Sequence, residues 1–174
     1  MNRIKIVTVL ILLAIIIVKL SWTSHLTMNE INSMNESEFI HSSPSIQMYF
    51  YIKQYAEEYK IPESYAFAVA FQETGYKGPL DLNYDHKQTS KTGALGPMQI
   101  MPATARYVEG REIKHSDLKS NIRLNVEISM KLLRKLKDQY GTWGLAFGAY
   151  NTGKPIVNQY AENVLKKQYF WVEI

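Results

Sequence analysis

The sequence contains no cysteine, which excludes several classes of protein at once. Without thiols the chain can form no disulfide framework, carry no lipid-modified cysteine anchor and offer no thiolate to a metal ion. Its four histidines are scattered, and none takes the H-E-x-x-H spacing of a helical zinc site. We therefore expect no metal and no other cofactor. A chain of 174 residues is long enough for one domain with a modest apolar core.

Excess positive charge is also lacking over most of the chain. The formal net charge is +4, but Arg3, Lys5 and Lys19 lie within the first 24 residues, which contain no acidic residue. The remainder is close to neutral. A protein that binds nucleic acid usually presents a strongly basic surface, and this composition does not indicate one.

Residues 1–23 have the plan of a secretory signal peptide or a signal anchor. A basic start is followed by an apolar run from Ile6 to Val18. The run is shorter than the ~20 residues of a relaxed membrane span, so cleavage and retention both stay open. We expect an exported protein that works in the periplasm or cell envelope, held at the cytoplasmic membrane if the segment is retained.

The rest of the chain divides into a polar stretch and one folded domain. Residues 24–46 are rich in serine and asparagine and are interpreted as a linker. In residues 47–174, apolar side chains recur at helical spacing, which predicts a mainly α domain. The irregular segment Lys77–Thr92 is the one place in this domain where we consider a β-hairpin. Helices are predicted over Gln47–Tyr59, Pro62–Gly75, from Pro102 onward, Ser116–Lys137, Thr142–Tyr150 and Pro155–Lys167.

Glu73 is the strongest candidate for chemistry. It falls in the last turn of an apolar helix that Gly75 is expected to end. Burial and the negative end of the helix dipole both disfavour an ionised carboxylate at this place. A carboxylic acid that stays protonated near neutral pH is what a general acid requires.

Three segments carry a family resemblance. Glu73–Tyr76, Gly93–Pro102 and Ala149–Gly153 read ETGY, GALGPMQIMP and AYNTG. They resemble the three signature blocks of the soluble lytic transglycosylase family, which read roughly E-S-x-F, G-A-x-G-L-M-Q-x-M-P and A-Y-N-x-G. Their order and relative placement match, and the resemblance covers roughly Met48 to Lys167. It implies a single lysozyme-like domain, similar to goose-type lysozyme, with a substrate cleft.

The resemblance also implies a reaction. In this family one glutamate protonates the β-1,4 glycosidic oxygen between N-acetylmuramic acid and N-acetylglucosamine in peptidoglycan. The same glutamate then acts as base on the C6 hydroxyl of the muramyl sugar, which closes a 1,6-anhydro ring without water. Carried onto this sequence, Glu73 is the acid and then the base, and residues 47–174 form the catalytic domain.

Further site residues follow from the matching blocks. Ser90 would orient the acid, Gln99 and Asn151 would bind sugar hydroxyl or acetamido groups, and Tyr150 would hold the acid or the sugar. Met98 would form part of the cleft wall. The implied substrate-binding residues are Ser90, Met98, Gln99, Tyr150 and Asn151.

Two positions depart from the family pattern. Pro97 stands where the family usually has an aliphatic residue, so the local backbone is expected to differ. Asn125 replaces a glycine that is usual in the helix after the second block, so helix packing is expected to differ there.

Two alternative functions stay open at this point. A hydrolytic muramidase resembling goose-type lysozyme would need a second carboxylate, at about 6.5–9.5 Å from the first for inversion, and Asp81 or Asp85 could supply it. A non-catalytic wall-binding part of an envelope-spanning machine would need no acid. The expected partner is peptidoglycan, with a secretion, conjugation or phage apparatus as a further possibility, and we expect a monomer.

Overall fold

The computed structural model describes residues 26–167. The predicted signal or anchor segment, residues 1–23, lies outside these residues. Within residues 26–167, no helix combines the length and the apolar character that crossing a membrane requires. The domain boundaries proposed above therefore stay predictions.

The chain divides into two compact units, Met1–Glu36 and Ser37–Ile174. The described part of the first unit contains helix α1, Met28–Asn32. A capping box begins this helix: the hydroxyl of Thr27 accepts the N–H of Glu30, and the Glu30 carboxylate accepts the N–H of Thr27 at 2.8 Å. The stretch interpreted as a linker, residues 24–46, thus contains helix α1, and two further helices begin within it at Glu36 and Pro44.

The second unit is helical throughout its described part, apart from the segments that join the helices. α2 begins at the boundary between the units, and α3 begins with a proline in its first turn, the position that proline tolerates. The helices are α2 (Glu36–Phe39), α3 (Pro44–Glu58), α4 (Glu63–Thr74), α5 (Pro102–Glu109), α6 (His115–Ser120), α7 (Ile122–Tyr140), α8 (Trp143–Thr152) and α9 (Gln159–Lys167).

Helix α7 is the centre of this unit. It packs against α3, α5, α6 and α8, while α9 packs against both α4 and α8. One side of α7 is apolar and buried, and removing that area from water is the main stabilising contribution. The buried apolar residues of α7 are Ile122, Val126, Ile128, Met130, Leu132 and Leu133.

Several helices end at glycine residues in the left-handed conformation. Gly75 adopts a φ of 72° and ends α4 as predicted, and Gly141, with a φ of 81°, ends α7 three residues beyond the predicted Lys137. Helix α8 is buried at Gly144 and from Ala146 to Ala149 and exposed at its last two residues, and Thr142 caps its start through the N–H of Leu145. The mainly α prediction is confirmed.

The predicted helix Ser116–Lys137 is wrong, because the structure breaks it into α6 and α7. Asn121 lies between them in an extended conformation, with φ −88° and ψ 98°. Its side chain accepts the N–H of Leu124 at 3.0 Å and so caps α7. The apolar spacing continues from Leu118 to Ile122 across this break, which is why periodicity alone did not reveal it.

Other features also differ from the prediction, and α3 begins at Pro44 rather than Gln47. The last helix begins at Gln159 rather than Pro155, because Asn158 accepts the N–H of Ala161 and starts it. No ladder forms within Lys77–Thr92 itself. Isolated bridges instead pair Thr89 with Leu95 and Leu95 with Ile100.

Candidate active site

Glu73 lies in the last turn of α4, one residue before the helix ends at Thr74. Helix α9 packs against α4 and places Tyr160 beside it. The phenol of Tyr160 donates a 2.5 Å hydrogen bond to Oε1 of Glu73. The carboxyl group is therefore oriented by a residue of α9, which is distant from Glu73 in the sequence.

Burial raises the pKa of Glu73 to about 7, and the hydrogen bond from Tyr160 partly opposes that rise. Near neutral pH the carboxyl group is therefore divided between its protonated and ionised forms. Burial, together with the charge of Glu73, raises the pKa of Tyr160 and of Tyr150 well above the usual range. Both phenols stay protonated and can donate hydrogen bonds to or near the acid.

A tight turn from Leu95 to Ile100 contains the centre of the second signature block. Leu95 and Ile100 exchange two backbone hydrogen bonds, at 2.9 and 3.0 Å, which close the turn. Gly96 and Gln99 both have positive φ, at 75° and 50°. Gln99 is thus held in a conformation that residues other than glycine seldom adopt, and such conformations concentrate at functional sites.

This turn is tied to the helices that carry the acid and Tyr150. The hydroxyl of Thr74, the residue after Glu73, donates to the Pro97 carbonyl at 2.8 Å. The phenol of Tyr150, on α8, donates to the Met98 carbonyl at 2.7 Å. The first, second and third signature blocks are therefore joined at two adjacent carbonyl groups.

Ser90 and Gln99 stabilise the loops in which they lie. The Ser90 hydroxyl bonds that of Thr92 at 2.9 Å and accepts the N–H of Ala94 at 2.9 Å, and no hydrogen bond joins it to Glu73 in the described chain. The side-chain nitrogen of Gln99 donates to the carbonyls of Gly96 and Gln88. The carboxamide oxygen of Gln99 is the atom of that group still available to a sugar.

Asn151 and Met98 occupy different environments. Asn151 is exposed, and its side-chain oxygen accepts a hydrogen bond from Asn158 at 3.1 Å, which leaves its amide hydrogens for a ligand. Met98 is fully buried, and its carbonyl already binds Tyr150. Its contribution to a sugar site would therefore be indirect.

Asp81 and Asp85 are engaged in their own loop. Oδ1 of Asp81 accepts the N–H of Asn83 at 3.3 Å, and Oδ1 of Asp85 accepts the N–H of Lys87 at 2.8 Å. Such contacts two residues ahead are typical of turns. Among the described residues, burial and Tyr160 are the influences on the pKa of Glu73, and neither aspartate contributes.

Sequence reasoning missed three residues of this arrangement. The pattern of the last helix predicts no role for Tyr160, although a phenol that packs inside a domain generally requires a hydrogen-bond partner. Thr74 belongs to the first signature block, and Asn125 departs from the glycine of the family pattern, but neither observation predicts a role for the side chain. No group of three or more metal-binding side chains lies together in residues 26–167.

The helices and this site define a class: a mainly α, lysozyme-like domain with a protonatable glutamate at the end of a buried helix. Residues 50–170 match the family described as Transglycosylase SLT domain. The match covers well over half of the chain, so the protein belongs to this family. Membership establishes the lysozyme-like fold and peptidoglycan as the material on which the domain acts.

Proposed function

We propose that this protein is a peptidoglycan lytic transglycosylase in which Glu73 serves as acid and then as base. It cleaves the β-1,4 bond between N-acetylmuramic acid and N-acetylglucosamine and leaves a 1,6-anhydro end. The observation that carries this proposal is the Glu73 carboxyl, with a pKa of about 7 and a hydrogen bond from Tyr160. A group with that pKa can both give and take a proton at neutral pH.

In the first step, protonated Glu73 gives its proton to the glycosidic oxygen as the bond from that oxygen to C1 breaks. The departing sugar takes the proton as its new hydroxyl group. Because Tyr160 occupies Oε1, we assign the transferred proton to Oε2 of Glu73. The acetamido group of the substrate stabilises the positive charge that develops at C1.

In the second step, the Glu73 carboxylate removes the proton from the C6 hydroxyl of the muramyl sugar. The oxygen of that hydroxyl bonds to C1 and closes the anhydro ring. Glu73 is protonated again, so the cycle consumes no water and needs no second carboxylate. Tyr160 stays neutral through both steps because burial and Glu73 keep its pKa high.

The sugar is positioned by groups around the acid. We assign the amide hydrogens of Asn151 to the acetamido oxygen and the carboxamide oxygen of Gln99 to a sugar hydroxyl. Ser90 and Met98 act on the substrate through the loops that they stabilise. Tyr150 supports the second signature block through the hydrogen bond from its phenol to the Met98 carbonyl.

A hydrolytic muramidase is the competing function, since it would use the same glutamate. That chemistry needs a second carboxylate to activate water or to form a glycosyl intermediate. Asp81 and Asp85 accept hydrogen bonds from their own loop and do not influence Glu73, which favours transglycosylation. A purely wall-binding role would give no reason for a buried acid with a hydroxyl partner.

We place the reaction in the cell envelope. The basic start and the apolar run from Ile6 to Val18 support export, and peptidoglycan lies outside the cytoplasmic membrane. A secretion, conjugation or phage apparatus would be a natural user of such an activity.

The test is a digestion of purified peptidoglycan by the full-length protein, with Glu73→Gln as the matched inactive variant. Mass spectrometry of the soluble fragments should reveal anhydro products, lighter by one water than hydrolysis products, from the native protein alone. Reducing-end products would replace the proposal with a muramidase. Binding without any product from either protein would favour the wall-binding role.

A further inference from the structure

Asn125 lies on α7, is fully buried, and has every hydrogen-bonding group of its side chain satisfied. Its oxygen accepts the N–H of Met98 at 2.9 Å. Its nitrogen donates to the carbonyls of Leu95 at 2.9 Å and Leu118 at 2.8 Å. One side chain therefore joins α7, the residues that precede it and both sides of the turn Leu95–Ile100.

The turn fits this side chain closely. A Cβ atom added to Gly96 would lie 2.6 Å from Nδ2 of Asn125 and 2.6 Å from the Leu118 carbonyl oxygen. Real Cβ contacts do not approach so near, so the turn can reach Asn125 only with glycine at this position. The fit leaves little room for the turn to move against α7.

The contacts continue from Asn125 to the acid. Asn125 holds the N–H of Met98, and the carbonyl of Met98 receives the phenol of Tyr150. The preceding carbonyl, that of Pro97, receives the hydroxyl of Thr74 beside Glu73. The Pro97 carbonyl belongs to the same peptide group as the N–H that Asn125 binds, and the Met98 carbonyl belongs to the next peptide group. By holding that N–H, Asn125 therefore positions both carbonyls.

We propose that Asn125 is a positioning residue for the reaction: it fixes the turn Leu95–Ile100 so that the Pro97 and Met98 carbonyls hold Thr74 and Tyr150 around Glu73. The family pattern usually has glycine here, and glycine has no side chain with which to do this. The inference rests on the proposed function for its catalytic consequence, although the positioning itself can be measured without catalysis.

The physical reason is the cost of leaving buried polar groups unpaired. Without the amide, the buried N–H of Met98 loses its partner and the carbonyls of Leu95 and Leu118 each lose a donor, although the Leu95 carbonyl keeps its bond from the N–H of Ile100. The turn relaxes to recover hydrogen bonds, and both carbonyl acceptors move with it. A displacement of about 1 Å in a catalytic arrangement is enough to lower a rate by about 100-fold.

The experiment compares Asn125→Ala with Asn121→Ala, at the residue that precedes the same helix and caps its start. The Asn121 side chain binds the N–H of Leu124 and has no described hydrogen bond to the turn, so this variant loses stability without loss of positioning. We expect Asn125→Ala to lower kcat on soluble glycan strands by about 100-fold, whereas KM, to which the Gln99 contact in the same turn contributes, should rise by a smaller factor. Asn121→Ala should keep the native kcat.

Asn125→Asp covers the case in which the alanine variant does not fold. It keeps the size of the side chain and the acceptor for Met98, but it cannot donate to both Leu95 and Leu118. We expect it to lose kcat as well. A native kcat in a folded Asn125 variant, or a change confined to KM, would overturn the proposal.

A second measurement separates this proposal from the proposed function. The pKa of the Glu73 carboxyl can be followed by carbon NMR in folded protein, whether or not anhydro products form. If the turn is loosened, water reaches Glu73, and its pKa should fall from about 7 toward the usual range in Asn125→Ala, which adds no charge near the carboxyl group. An unchanged pKa in that variant would overturn the positioning role, whatever the reaction proves to be.

Discussion

Tyr160 and Glu73 are 87 residues apart in the sequence, and a 2.5 Å hydrogen bond joins the phenol of one to the carboxyl of the other. The bond stabilises the ionised form of Glu73, whereas burial stabilises the protonated form. The pKa of about 7 is the balance of these two effects. Either effect can be altered by a single substitution, and the results differ in sign.

Tyr160→Phe removes the effect that lowers the pKa. We expect the pKa of Glu73 to rise by about one unit, given the strength of a hydrogen bond to a charged group. Because the first step needs the protonated acid, the alkaline limb of kcat/KM against pH should move upward by the same amount. The rate at the optimum should fall, because the carboxyl loses its fixed orientation.

Tyr76→Phe is the matched control for that experiment. Tyr76 is also a tyrosine with a buried hydroxyl, and it donates to the Ser45 carbonyl at 2.7 Å rather than to Glu73. Its alkaline limb should coincide with that of the native protein. An unmoved limb in Tyr160→Phe would contradict the assignment of Glu73 as the titrating acid.

Glu73 should also make stability depend on pH. Its pKa is raised from 4.5 to about 7 on folding, so the folded state holds the proton more tightly than the unfolded state. The stabilisation is fully present below pH 4.5 and is lost as pH rises through about 7. The shift corresponds to at most about 3 kcal/mol in the free energy of unfolding.

Denaturant unfolding at pH 4.5 and pH 8 measures this effect. Glu73→Gln cannot ionise, so its free energy of unfolding relative to the native protein should be higher at pH 8 than at pH 4.5. Glu63→Gln, an exposed substitution in the first turn of the same helix, should differ little from the native protein at both pH values. Equal pH dependence in all three proteins would argue against a buried, titrating Glu73.

The sequence predicted the helix that carries Glu73 and its end at Gly75 because both signals are local. Glu73 follows an apolar helical run and precedes Gly75, whose positive φ ends the helix. Tyr160 could not be assigned in the same way, because its role depends on how α9 packs against α4. Helical periodicity predicts which face is buried but does not identify the group that it meets.

Asn125 illustrates the same limit from another direction. Its spacing places it on the buried face of α7, where a polar residue is normally a defect. The side chain becomes favourable only because Leu95, Met98 and Leu118 bring three backbone groups within reach. These partners belong to the turn and to the segment before α7, so the sequence pattern of the helix itself does not predict them.

Asp81→Asn and Asp85→Asn test the number of carboxylates that the reaction needs. Each asparagine keeps an oxygen that can accept the same backbone N–H, so the loop should retain its turns. We expect both variants, and the double variant, to keep kcat within about twofold and to release anhydro products. Loss of activity of about 100-fold or more in either variant would indicate a direct role in catalysis.

Gly96→Ala tests the close fit between the turn and α7. The added methyl group would lie 2.6 Å from Asn125 and from the Leu118 carbonyl, and φ at this position is +75°. Gly93→Ala is the matched control, since its φ is +91° but no atom lies within 4 Å of the new Cβ. Backbone strain alone should cost Gly93→Ala about 1 kcal/mol, whereas overpacking should add about 1–3 kcal/mol in Gly96→Ala. Thermal unfolding of the two variants measures the difference, and equal losses of stability would mean that the turn can move away from Asn125 without cost.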